Sequence, residues 1–131
     1  TAGLHLPCRT VGPGPRDQAI AAPSSVVASA NCPVYEGATP VFADVEADTG
    51  NVSVRTLAAA LTPATRAVIV VDQGGMPVDL DPIRALCDGL GITVIEDAAC
   101  AAGSTYRERA PSSRPGHSTR AKYSPPGRAE C

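Results

Sequence analysis

The fold is decided by residues 38–103, ATPVFADVEADTGNVSVRTLAAALTPATRAVIVVDQGGMPVDLDPIRALCDGLGITVIEDAACAAG. Apolar runs at 39–45, 67–71 and 92–95 alternate with helical stretches at 54–61 and 80–90. Short β-branched runs separated by helices of this length make the β-α-β-α-β pattern of right-handed crossovers in a parallel sheet. The punctuation agrees. Asp79 or Asp81 can cap the helix that Pro82 helps start, Gly91 follows its end, and Asp48-Thr49-Gly50-Asn51 makes a turn.

Upstream, residues 24–35 read as a helix in which Ala28, Ser29 and Ala30 allow close packing. Residues 1–11 can form another, although Pro7 sits badly in its interior, where a proline costs about 3 kcal/mol. Residues 12–15 are a Gly-Pro loop, and 19–22 are a weak strand candidate. Downstream, 107–131 is rich in Arg, Pro and Ser with almost no apolar side chains. It buries too little to offset its ordering entropy and is expected to be disordered. The chain therefore divides into 1–106, a single α/β unit, and a basic tail at 107–131.

Composition narrows the function. With no Trp, one Phe and three Tyr, the core must be built from Ala, Val, Ile and Leu, the filling of a parallel sheet covered by helices. A net charge of -2 without runs of like charge gives no footprint for nucleic acid or an anionic membrane. No stretch approaches the roughly 20 apolar residues that span a bilayer, and no secretory leader is recognisable, so a cytoplasmic location is expected. The five cysteines, Cys8, Cys32, Cys87, Cys100 and Cys131, are odd in number and lack any C-x-x-C spacing; most read as buried thiols, and the pattern fits neither a disulfide scaffold nor a zinc site. A dinucleotide site is a poor fit, because Gly12-Pro13-Gly14 and Gly89-Leu90-Gly91 lack the strand, G-x-G-x-x-G and helix order.

Ligands of open parallel sheets bind beyond the carboxyl ends of the strands. Two polar segments qualify: Asp72-Gln73-Gly74-Gly75 and Glu96-Asp97-Ala98-Ala99-Cys100. An acid followed by small residues lets a cationic ring nitrogen approach its carboxylate, but it also describes an ordinary loop. The residues alone leave both readings of Asp97 open.

From Asn31 through Tyr106 the sequence resembles the DegT/DnrJ/EryC1/StrS family of sugar aminotransferases. The resemblance rests on GATPVFADV at 37–45, TPATRAVIVV at 62–71, MPVDLDPI at 76–83 and VIEDAA at 94–99, in the family's order and spacing. It implies an α/β, parallel-sheet, three-layer fragment of the large domain of the aspartate aminotransferase fold (fold type I). It also implies pyridoxal phosphate as cofactor, a keto-sugar substrate (nucleotide sugar or cyclitol), glutamate or glutamine as amino donor, and a homodimer with shared active sites. Carried over by position, Asp97 pairs with the cofactor's pyridine nitrogen and keeps it protonated. Thr1 and Ala2 match the turn whose amides receive the phosphate at a helix N-terminus. Val26 stands where the family has an aromatic ring stacked on the cofactor, and Cys100 where it has Gln or His beside the ring hydroxyl; a buried thiol beside the site is the plainer reading of Cys100. The stretch 7–25 departs from the family pattern.

The family's Schiff-base lysine is missing. Lys122 is the only lysine, and Thr119-Arg120-Ala121-Lys122-Tyr123 does not match the S-F-H-P-R-K segment. Codons permitted for residues 117–131, read from the third base of the His117 codon, spell F-H-P-R-K-V-L-T-T-G-E-G-G-M, so the tail reads as out of frame. The expectation is an aminotransferase fragment without transaminase activity. The alternative is a non-catalytic α/β binding or interaction fragment whose basic tail contacts a partner.

Overall fold

The computed structural model describes residues 2–107 and the backbone of 121–124. In chain order the elements are α1 (Ala2–Val11), β1 (Gln18–Ala21), α2 (Val27–Tyr35), β2 (Thr39–Phe42), α3 (Val54–Ala60), β3 (Thr65–Val71), α4 (Leu80–Gly89), β4 (Thr93–Asp97) and β5 (Ala121–Ser124). A short 3-10 turn, Gln73–Gly75, follows β3.

The strands form one sheet in the order β2-β1-β3-β4-β5. β1 to β4 are parallel, with Ile20 opposite Val41 and Val68, and Ile69 opposite Ile95. Alternation along the strands sends side chains to two faces. Ile20, Val68, Val70 and Val94 meet Leu57 of α3 and Leu80, Ile83 and Cys87 of α4 on one face. Ala21, Ile69 and Ile95 meet Leu4 and Cys8 of α1 and Ala28 and Cys32 of α2 on the other. The result is the three-layer α/β arrangement expected from the alternating runs.

Several boundaries differ from the sequence reading. α2 starts at Val27 rather than at 24, because Val26 holds a φ of -59° and a ψ of 143°, outside the helical region. α4 does begin after Asp79, but the Asp79 side chain makes no cap: it accepts a hydrogen bond from the Tyr106 hydroxyl and pairs with Arg107 at 3.5 Å. α3 has the better cap. Ser53 Oγ accepts from the Thr56 amide at 3.2 Å while Thr56 Oγ1 accepts from the Ser53 amide at 2.9 Å.

Both prolines inside helices are tolerated. Pro7 cannot donate to the Gly3 carbonyl, yet Leu4 and Cys8 on either side of it are buried against the sheet, and α1 continues to Val11. Pro33 likewise frees the Ser29 carbonyl; the Cys32 thiol takes its place as donor at 3.4 Å.

The expectation of an unstructured tail fails for four residues. Ala121–Ser124 pair antiparallel with β4, Lys122 opposite Glu96 and Ala121 opposite Asp97. The unpaired hydrogen-bonding edge of β4 accepts any extended segment that reaches it, whatever its apolar content. Arg107 is also described; residues 108–120 and 125–131, Cys131 among them, lie outside the described residues.

Candidate functional site

α1 ends just before β1 begins, so it runs against the strands and its N-terminus stands at their carboxyl ends. α2 follows β1 and starts at the same end. Asp97, two residues beyond the buried Ile95, shares that face and closes β4. Three features are thereby gathered at one edge of the α1/α2 face: the amide-rich start of α1, the entry to α2, and a carboxylate.

Asp97 is only 4% exposed. Its Oδ1 accepts from the Ala99 amide at 3.1 Å, and its carbonyl accepts from the Asp72 amide at 3.1 Å, so backbone bonds fix it on two sides. Ala2 is the exposed first residue of α1, where free N–H groups favour an anion; Thr1 lies outside the described residues. Val26 immediately precedes α2 and is 63% exposed, a branched aliphatic surface in place of a ring. Cys100 is exposed in the loop after β4 rather than buried beside the site, because Ala98 and Ala101 take the interior positions of that loop. Cys8, Cys32 and Cys87 are the buried thiols that the sequence reading expected.

The opposite face carries a second group of charges. Asp72 and Glu96 are both buried, and Arg84 of α4 lies 4.0 Å from Glu96. Asp72 Oδ1 accepts from the Val78 amide at 2.9 Å; Oδ2 is buried with no hydrogen-bond partner among the described residues. Burial pushes the Asp72 carboxyl up to about 6, with the Glu96 and Asp97 charges adding to the effect.

Loops after β1, β2 and β3 are tied together above these strands. Asn51, read from sequence only as part of a turn, is buried; its Oδ1 accepts from the Gln73 amide at 3.0 Å and its Nδ2 donates to the Met76 carbonyl at 2.8 Å. Gln73 Nε2 in turn donates to the Ser24 carbonyl at 2.6 Å. Gly75 has a φ of +85°, and a Cβ there would stand 3.0 Å from the Cys100 carbonyl oxygen, so glycine lets the β3 loop lie against the β4 loop. Sequence reasoning missed Asn51 and Ser24, since a polar residue in a turn carries no mark of being buried. A groove of about 480 Å³ lined by Glu46, Asn51, Arg55 and Met76 contains none of the site residues read from sequence.

The described residues fit pyridoxal phosphate in the chemistry of their groups: a carboxylate at a strand end for a cationic nitrogen, and a helix start for a phosphate. Among the described residues no cluster of metal ligands occurs, and no helix is long and apolar enough to cross a membrane.

Comparison with known proteins identifies the family and the fold. The model of the DegT/DnrJ/EryC1/StrS aminotransferase family matches residues 1–118, including the divergent stretch 7–25. The spore coat polysaccharide biosynthesis protein SpsC of Bacillus subtilis (strain 168) is 43% identical over 109 residues, 83% of this chain and 28% of SpsC. An aminotransferase from Psychrobacter cryohalolentis superimposes with a TM-score of 0.80 at 39% identity, over 83% of this chain and 28% of that one. Spr1654 of Streptococcus pneumoniae, in its PLP-form, gives a TM-score of 0.76 at 29% identity, over 83% and 32%. This chain thus spans less than a third of the length of each, and its sheet is an α/β fragment of the fold type I architecture. By both sequence and fold, the chain belongs to the DegT/DnrJ/EryC1/StrS aminotransferase family.

Proposed function

We propose that residues 1–106 are part of the cofactor-binding large domain of a pyridoxal-phosphate-dependent aminotransferase, and that the chain as it stands does not transaminate. The observation that carries the reading is Asp97, a buried carboxylate held by backbone bonds at the carboxyl end of β4, on the face where α1 and α2 begin. When bound, pyridoxal phosphate would supply an aldehyde carbon that carries the amino group between substrates and a ring that accepts electrons. Asp97 would hold the proton on the pyridine nitrogen, and the amides at the turn into α1, by the resemblance Thr1 and Ala2, would bind the phosphate; Val26 stands at the position of the family's stacking ring without offering an equivalent face, and Cys100 at that of a Gln or His, where it would make at most a weaker contact.

In the whole enzyme the substrate class is a keto sugar or cyclitol, the donor glutamate or glutamine, and the working unit two copies. The polysaccharide biosynthesis role of SpsC supports the sugar assignment. Transamination further needs a lysine to anchor the cofactor and carry a proton. Lys122 is the chain's only lysine and lacks the matching neighbours. We propose that 107–131 is read out of frame. The pairing of β5 with β4 favours the other reading, in which the tail is genuine and the chain is a non-catalytic binding fragment.

Two experiments separate these. Pyridoxamine 5′-phosphate titrated into the chain should bind saturably, while pyridoxal phosphate followed by borohydride should leave no specific lysine adduct. Absence of saturable binding would overturn the cofactor assignment. The gene sequence beyond the Arg107 codon should continue F-H-P-R-K into a Gly-rich turn in the second frame; an unrelated second frame would make the tail genuine.

A further inference from the structure

The sheet order places β2 on one side of β1 and β3 on the other, so consecutive connections diverge between β1 and β3. Helix α2 leaves β1 over one face, and α3 arrives at β3 from the other. A crevice outside the carboxyl ends of such a strand pair is where open α/β sheets take their ligands. The loop after β1, residues 22–26, forms one wall and ends at Val26; the loop after β3, residues 72–79, forms the other.

One side chain bridges the two walls. Gln73 Nε2 donates to the Ser24 carbonyl at 2.6 Å and lies 3.3 Å from Ser24 Oγ. Gln73 is itself held at its base. Its amide donates to Asn51 Oδ1, its carbonyl accepts from the Met76 amide at 2.9 Å, and Asn51 Nδ2 closes the same turn at Met76. The buried Asn51 therefore fixes the point from which Gln73 reaches, and the Gln73 side-chain amide crosses from this anchored turn to the loop after β1. Among the described residues the β1 loop makes no comparable side-chain anchor of its own: Val26 has no side-chain cap, and the Ser25 hydroxyl bonds the Ser29 hydroxyl at 3.1 Å within the start of α2.

We infer that Gln73 is a positioning residue for the cofactor site, a latch that holds the loop after β1, and with it Val26, in place across the crevice between β1 and β3. The inference rests on the cofactor reading proposed above. Gln73 is not among the residues assigned above to the ring or the phosphate, so its role is exerted through Val26. Because the aliphatic Val26 offers less contact than an aromatic ring would, its placement depends more on the latch than on stacking.

Hydrogen exchange and pyridoxamine 5′-phosphate titration of the full chain test this in three forms: unaltered, Gln73→Leu, which keeps bulk but removes the donor, and Gln73→Lys, which restores one. The expected result for Gln73→Leu is about fivefold faster exchange confined to the amides of 24–27 and about fivefold weaker binding, as one lost hydrogen bond implies. Gln73→Lys should return both toward the unaltered chain. Unchanged exchange at 24–27, faster exchange with unchanged affinity, or faster exchange spreading to Ile69 and Ile95 would each overturn the latch while leaving the cofactor reading intact. If the unaltered chain itself fails to bind pyridoxamine 5′-phosphate, the cofactor reading falls and the inference falls with it.

Discussion

The two faces of the sheet are built differently. Beneath α3 and α4 lies a core of large aliphatic side chains: Ile20, Leu57, Val68, Val70, Ile83 and Val94 are all nearly inaccessible. Beneath α1 and α2 the layer is thinner, with Ala21, Ala28, Cys8 and Cys32 between the larger Leu4, Ile69 and Ile95. Each helix of the thin face also has a proline in its interior. The difference teaches a division of labour. Bulk burial holds the sheet from one side, while small side chains on the other let two helices lie close, with their N-termini at the edge that holds Asp97.

If that division is right, truncations should separate by face. Ile83→Ala should cost about 3–4 kcal/mol in urea unfolding, the usual penalty for a fully buried aliphatic. On the thin face Cys32→Ala should cost about 1 kcal/mol, combining one small side chain with the donor it supplies to the Ser29 carbonyl. Equal losses would erase the contrast.

The charged groups sharpen it further. Asp72 titrates near 6 in the fold against about 4 when unfolded, so the folded chain binds more protons between those values. Its contribution to stability is therefore greatest below pH 4 and declines as pH rises through 6. Asp72→Asn should remove this component, on the order of 2 kcal/mol, and flatten the denaturant midpoint between pH 4 and 7. A slope that survives the substitution would assign it to another group. Smaller still, Ser53→Ala should cost about 1 kcal/mol by opening the capping box of α3, measurable by thermal unfolding.

Much of this was legible in the residues. The parallel block from β2 to β4 follows from apolar runs broken at helical intervals, and Asp97 was marked by its place after such a run. What escaped reading depends on contacts distant in sequence. The buried role of Asn51 needs the turn at 73–76 beside it, and Ser24, read as the first residue of α2, instead accepts a hydrogen bond from Gln73, 49 residues later. Asp79 looked like a helix cap because nothing local shows that Tyr106, 27 residues later, claims its carboxylate. Cys100 looked like a buried thiol because burial in a loop depends on which neighbours turn inward. The pairing of Ala121–Ser124 could not be read from composition, since an open strand edge selects by reach rather than by side chain.

The central claim is that Asp97 receives a cationic ring nitrogen at the edge of the thin face. Its most direct test is the affinity of Asp97→Asn for pyridoxamine 5′-phosphate beside that of the unaltered chain, both at a pH and temperature where each is folded. The substitution keeps the shape and an oxygen for the Ala99 amide, and replaces the charged acceptor with a neutral amide. The expected result is a loss of about tenfold or more, the value of a charge-assisted hydrogen bond; equal affinity in the two chains would contradict the assignment of Asp97.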